Sequence, residues 1–203
     1  MGENTRITKL QHLTGHKDLS GLNKNRMELK IRQEDKKDFK AVFELIEKAF
    51  ENVAFSDHRE QFLVERLRVS DAFVPELSLV AEQNDQIVGY ILLTKIKIKN
   101  ETGKTAESLA LAPVAVLPDF QGKGIGGQLI RTAHDKARTM GFGSVILLGH
   151  EKYYPKFGYQ MTSQYGIRLP FDVPPENCMV IELIPGALKD VSGVVGYPKA
   201  FFE

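Results

Sequence analysis

Val114-Ala115-Val116-Leu117-Pro118-Asp119-Phe120-Gln121-Gly122-Lys123-Gly124-Ile125-Gly126-Gly127 is the stretch whose reading decides the fold. An apolar strand ends at Val116, a proline turn follows, and four glycines within six residues open a new element. Beyond them Ile125, Leu129, Ile130, Ala133, Ala137 and Met140 recur at helical spacing, and Gly141 supplies a C-terminal stop. A glycine-rich turn opening a helix is an anion site. The free N–H groups of the first turn and the helix dipole, roughly +0.5 charge, point at the same spot. Glycine is required where a side chain would bar phosphate oxygens from the backbone or where φ is positive. Lys123 adds a candidate point charge.

Several phosphate ligands fit that description. Gly122, Gly124 and Gly127 satisfy the G-x-G-x-x-G dinucleotide spacing, with Glu151 beyond the next strand as a candidate ribose acid. Three strands precede the cluster, however: Leu77 to Glu82, Ile87 to Lys99 and Thr105 to Val116, separated by polar turns, which read as an antiparallel meander. After Glu151 no further helical crossovers remain to build a doubly wound sheet. A triphosphate P-loop is excluded because Gly122-Lys123 is followed by Gly124 and not by Ser or Thr.

Upstream, Leu29 to Gln33 alternates as a half-buried strand. Asp35 then precedes a helix carrying Phe39, Val42, Phe43, Ile46, Ala49 and Phe50. Ser56 is the expected N-cap of a second helix bearing Phe62, Leu63 and Leu67. Residues 1–26 are polar, with no sustained period, and read as an extension to a single domain over 27–203; Met27 is an alternative start. Downstream, Ser144 to Leu148 is continuously apolar, as for a strand buried on both faces and parallel to its neighbour. Tyr165 to Leu169 and Met179 to Ile184 are expected to be the final strands, with Pro170 to Pro175 a loop.

Composition bounds the rest. With 203 residues, 42% apolar and 26% charged, the chain has the makings of one globular domain with a sizeable core. A formal net charge of +1 argues against a broad nucleic-acid or acidic-membrane face. Cys178 is the only cysteine, which precludes an internal disulfide, and no Cys/His spacing suggests a metal site. No apolar run approaches the roughly 20 residues of a membrane span, so a cytoplasmic location without membrane or nucleic-acid partners is expected. A homodimer is compatible with this composition.

The glycine cluster and its turn resemble the central motif of the GNAT superfamily of acyl-coenzyme A N-acyltransferases: Gln or Arg, two residues, Gly, one residue, Gly or Ala. Here it stands as Gln121, Gly124 and Gly126. The run Val114 to Gln121 resembles that family's fourth strand and Pro-x-x-Gln turn, and the element order from Met27 to about Ile184 matches. The resemblance implies an α/β (α+β) fold, a mixed, mainly antiparallel sheet with two splayed central parallel strands flanked by helices. It implies acetyl-CoA as co-substrate. Backbone groups of Val114 and Val116 would pair with pantetheine, and N–H groups of Gln121, Gly122, Lys123, Gly124, Ile125, Gly126 and Gly127 would hold the pyrophosphate. Tyr154-Pro155-Lys156-Phe157-Gly158-Tyr159 resembles the family's Tyr-x-x-x-Gly-Phe element, so Tyr154 would protonate the departing thiolate. Where the family often carries Asn and Ala, Leu147 and His150 stand, which implies a shorter fourth helix.

Transfer to an amine needs a neutral nucleophile, a polarised carbonyl and a proton for the sulfur. For a lysine-like amine of pKa about 10.4, deprotonation at pH 7 costs roughly 4.6 kcal/mol. Glu82, Glu107 and His150 are candidate bases, each with an ordinary reading as a solvated or backbone-bonded group. Tyr154, with a reference pKa near 10, suits donation to a thiolate of pKa around 8.5. Tyr153 reads as a packing or pantetheine-contact residue, and Cys178 as core. The acceptor, a small-molecule amine or a protein lysine, has no signature. A catalytically silent acyl-CoA sensor is the alternative from another class, and a nicotinamide oxidoreductase the third.

Overall fold

The computed structural model describes residues 28–54 and 56–203, so the polar extension and Met27 lie outside the described residues. The described strands are β1 (Lys30–Gln33), β2 (Ser78–Gln83), β3 (Gln86–Lys99), β4 (Thr105–Val116), β5 (Ser144–Leu148), β6 (Gln160–Met161), β7 (Ile167–Arg168), β8 (Cys178–Glu182) and β9 (Gly193–Gly196). The helices are α1 (Phe39–Phe50), α2 (Glu60–Arg68) and α3 (Ile125–Thr139). All nine strands form one sheet, in the order β1-β2-β3-β4-β5-β8-β6, with β9 pairing β3 and β7.

Most neighbours are antiparallel; β4 and β5 are parallel, as are β7 and β9. This is not the doubly wound sheet of a dinucleotide-binding domain, and that reading falls. The β4–β5 ladder is short, joining Leu109 to Val145 and Ala110 to Ile146, whereas β4 runs on to Val116. Ala112 and Pro113 stand opposite the single residue Leu92, between the pairs Leu93↔Leu111 and Ile91↔Val114. The extra residue is a β-bulge, which bends its strand, and it accommodates a proline that cannot donate to a ladder. The central strands therefore part beyond Ala110.

Strand alternation sends side chains to two covered faces. On one, α3 lays Ile125, Leu129, Ile130, Ala133 and Ala137 over Leu79, Ile91, Leu93, Leu109, Leu111, Val145 and Leu147. On the other, α1 and α2 cover Val80, Tyr90, Leu92 and Ala115, while the C-terminal segment covers Ile96, Ile98, Ala110 and Ile146. A buried ion pair pins α2 in place: Arg68 meets Glu34, with side chains 6% and 2% exposed, and Ser78 Oγ donates to Glu34 Oε2 at 2.7 Å. The Arg68 guanidinium also lies 4.0 Å from the centre of the Phe39 ring.

Several expectations need correction. Ser56 does not cap α2; its hydroxyl takes the His58 N–H (2.8 Å) and donates to Glu60 Oε1 (2.5 Å), and the helix begins at Glu60. The strand expected over Tyr165 to Leu169 shrinks to Ile167–Arg168, because Thr162–Tyr165 forms a 3-10 turn closed by left-handed Gly166. The fourth helix is short as expected, only the 3-10 turn Tyr154–Phe157, where Pro155 withholds an N–H. Strand β9 was not expected. At Gly193, φ is +130° and a Cβ would lie 2.1 Å from Lys99 O, so only glycine permits this approach to β3.

Gly89 on β3 sets the seat of α3: a Cβ there would lie 2.9 Å from Leu129 Cδ1 and 3.0 Å from Ile125 Cγ2. Gly89→Val overpacks that contact. A loss of about 1–3 kcal/mol is expected in denaturant unfolding, with an unchanged midpoint contradicting the tight seat.

Candidate functional site

Past Ala110 the edge of β4 facing β5 has no ladder partner among the described residues. The Leu117 N–H donates to Val88 O at 3.0 Å, so the same trans peptide turns the Val116 carbonyl the other way, into the gap. In an extended chain a residue's N–H and C=O share one edge and alternate residues share it. Val114 and Val116 thus both present main-chain groups to the gap. Gln121 closes its end, its Nε2 donating to Val116 O at 3.0 Å.

After Val116, Pro118–Phe120 makes a 3-10 turn and Gln121 is extended. Gly122 (φ +72°) and Gly124 (φ +81°) are left-handed, and a Cβ on either would meet nothing within 4 Å. Their glycine is set by conformation, not by crowding. The α3 ladder starts with Gln128 N donating to Gly124 O (3.1 Å), which leaves the N–H groups of Ile125, Gly126 and Gly127 unclaimed by the helix. These two glycines are closely walled: a Cβ on Gly126 would lie 3.4 Å from the Tyr153 hydroxyl, and one on Gly127 3.5 Å from the Phe157 ring. Together they line a cavity of about 500 Å³ with Val116, Phe120 and Arg131.

Lys123 does not line this cavity. Its ammonium donates to Asp119 O (2.8 Å) and sits 4.9 Å from the Phe120 ring centre, folded onto its own turn. The positive charge comes from Arg131 and Lys156, both lining the cavity, with Lys156 Nζ 3.6 Å over the Tyr153 ring. Neither was singled out in the sequence, although Arg131 lies four residues after Gly127, on the same helix face. An open glycine backbone, a helix N-terminus and two cations fit a pyrophosphate.

Tyr154 lies just beyond β5, its N–H directed at His150 O (3.3 Å). Its ring fills the space left by Gly149, where a Cβ would fall 2.2 Å from Tyr154 Cε2. The rings of Tyr153 and Tyr159 meet it edge-on at 5.1 and 5.6 Å. Burial, then the neighbouring Tyr153, pushes its phenol well above the ordinary value, so it keeps its proton. The residue retains 9% of its surface, and its hydroxyl, bonded to no described residue, is not among the sealed polar atoms. Tyr153, not Tyr154, is the tyrosine that lines the glycine cavity.

The candidate bases do not gather here. Glu82 accepts from Arg32 Nε at 2.7 Å, two strands away from β4. Glu107 is exposed on β4 five residues before Ala112, about 17 Å along the strand. His150 is 80% exposed, with Glu151 Oε2 3.6 Å from its Nδ1. Cys178 is buried at the start of β8; burial, then Glu176, raises its thiol pKa. Among the described residues no cluster of His, Cys, Asp or Glu could hold a metal, and no helix is long and apolar enough to cross a membrane.

His134 was overlooked. It is buried on α3, and its Nε2 lies 2.9 Å from the Tyr159 hydroxyl. Burial, then the positive charge of Arg138, lowers its pKa to about 4 from 6.5. A depressed folded-state pKa gives stability that is full above pH 6.5 and lost as pH falls through about 4. Thermal unfolding followed from pH 7 to 4 should show that loss in the parent chain and a shallower one in His134→Leu; parallel curves would contradict the burial of a neutral imidazole.

The sequence matches the family described as "Acetyltransferase (GNAT) family" over residues 39–159. It is 38% identical to the Escherichia coli (strain K12) N-acetyltransferase YjhQ over 128 residues, covering 63% of this chain and 70% of the relative. The crystal structure of the GNAT family N-acetyltransferase YhbS from Escherichia coli, in complex with CoA, superposes with a TM-score of 0.78 at 25% identity, over 87% of this chain and 93% of that one. A GNAT family acetyltransferase from Brucella melitensis, in complex with acetyl-CoA, gives 0.71 at 31% identity, over 86% and 99%. A sheet parted at its central parallel pair, a glycine cradle at the parting and these likenesses agree: the chain belongs to the GNAT family, as an N-acetyltransferase with acetyl-CoA as its co-substrate.

Proposed function

We propose that the chain transfers the acetyl group of acetyl-CoA directly to a primary amine of a small molecule or a protein, with Tyr154 as proton donor to the leaving sulfur. The supporting observation is contiguity: the open edge of β4, the glycine cradle and the end of β5 adjoin one another, and each offers what one part of the donor needs. Acetyl-CoA supplies the acyl group as an activated thioester. Main-chain groups of Val114 and Val116 line the gap for the pantetheine arm. The N–H groups from Gly122 to Gly127, with Arg131 and Lys156, hold the phosphates; that of Gln121, expected to join them, is taken by Pro118 O at 3.2 Å.

Burial keeps the Tyr154 phenol protonated across the working range, so its O–H is present to hydrogen-bond the sulfur as the C–S bond breaks, although the same shift makes it a weaker acid. A direct route fits the surroundings of Cys178, whose thiol is buried with its pKa raised by burial and then by Glu176, which holds it away from the nucleophilic thiolate. The amine's proton passes to water, since Glu82 is held by Arg32, Glu107 is distant and His150 stands in solvent. A cytoplasmic setting accords with this donor.

Tyr154→Phe should lower kcat for acetyl transfer on the order of 10²-fold while CoA still raises the melting temperature. Thiol release from acetyl-CoA across a panel of primary amines measures it, and an unchanged rate removes Tyr154 from the chemistry. Release absent with every amine in the parent chain, alongside intact CoA binding, would favour a sensor. Arg131→Ala with Lys156→Ala should weaken CoA binding and flatten its salt dependence, read by titration at two ionic strengths.

A further inference from the structure

Position 159 departs from the family pattern quoted above: tyrosine stands where phenylalanine is expected. The added hydroxyl is not idle. It lies buried 2.9 Å from His134 Nε2 on α3, in a bond that joins the segment after β5 to the helix carrying the cradle. The imidazole is neutral, so whichever ring nitrogen holds the hydrogen, one hydrogen bond forms between the two side chains. The rings themselves meet at 5.5 Å, tilted by 51°.

The Tyr159 ring then meets Tyr154 edge-on, with centroids 5.6 Å apart and planes at 75°. Tyr153 and Gly149 also pack against Tyr154, within the core cluster beneath α3. A tyrosine in a short 3-10 turn has little local structure to hold its ring. Its orientation depends on these neighbours, and Tyr159 is the one anchored by a buried bond.

We propose that Tyr159 and His134 are positioning residues for Tyr154, their hydrogen bond fixing the ring against which the phenol of Tyr154 is aimed at the sulfur. This rests on the reading of Tyr154 as proton donor. Loss of the bond frees the Tyr159 ring to shift and lets the Tyr154 hydroxyl drift, while the cradle is left intact.

The pKa of the CoA thiol in the bound complex tests this without any acceptor, followed by thiolate absorbance against pH. A phenol aimed at the sulfur stabilises the thiolate and lowers that pKa. Tyr159→Phe keeps the ring and removes one hydroxyl; it should raise the thiol pKa by about 0.5–1 with CoA affinity unchanged. In a Tyr154→Phe background the same change should add nothing. His134→Leu should repeat the effect and His134→Gln, which can still bond Tyr159, should restore part of it. If His134→Leu fails to fold, Tyr159→Phe decides alone. A thiol pKa raised by Tyr154→Phe but untouched by Tyr159→Phe overturns the positioning role and leaves the donor reading standing. A thiol pKa untouched by Tyr154→Phe overturns both.

Discussion

Six residues of β4 run on after its parallel partner has left, and the molecule is organised around that unpaired edge. Main-chain N–H and C=O groups inside a fold need partners, and an open strand edge at the centre of a sheet is otherwise a liability. Here the bulge at Ala112 and Pro113 accompanies the parting, and Gln121 folds back to bond the last inward carbonyl. In the proposed function the remaining groups match an extended, polar-backboned ligand. A pantetheine arm, carrying amides along its length, is such a ligand.

The surrounding parts hold that edge open. Gly89 lets α3 settle close on β3, which sets the helix N-terminus directly beyond Val116. On the opposite face the Arg68–Glu34 pair, with Ser78 and Tyr90, ties α2 and the β1–α1 turn to the sheet. A buried ion pair of this kind is weak evidence for stability but a strict demand on register, because a misplaced partner leaves a charge unpaired.

Periodicity in the sequence was enough for α1, α3 and the strands from Ser78 to Val116, because each buries a continuous apolar face that repeats at its own period. Strand β9 escaped: Gly193 to Gly196 is too short to show alternation, and it exists only through pairing with β3, nearly a hundred residues away in the chain. The cradle glycines were legible for a similar local reason, since turn conformation and helix start are both short-range. The cations were not. Lys123 sits within the motif yet bonds its own turn, whereas Lys156 arrives from another segment altogether. Glu82 read as a free carboxylate until its cross-strand partner Arg32 was in view. His134 carries no signal of its own in the sequence, and only tertiary packing against Tyr159 gives it a partner.

Backbone amide exchange with and without CoA tests the central claim most directly, since the proposed site would hold the donor chiefly by main-chain groups. Saturating CoA should slow exchange at Val114, Val116 and the amides of residues 122–127, and leave two distant surfaces unchanged, the one around the Arg32–Glu82 pair on β1 and β2 and the one around Lys95 to Lys99 on β3. Protection confined to either of those surfaces, with the cradle amides exchanging as before, would contradict the account.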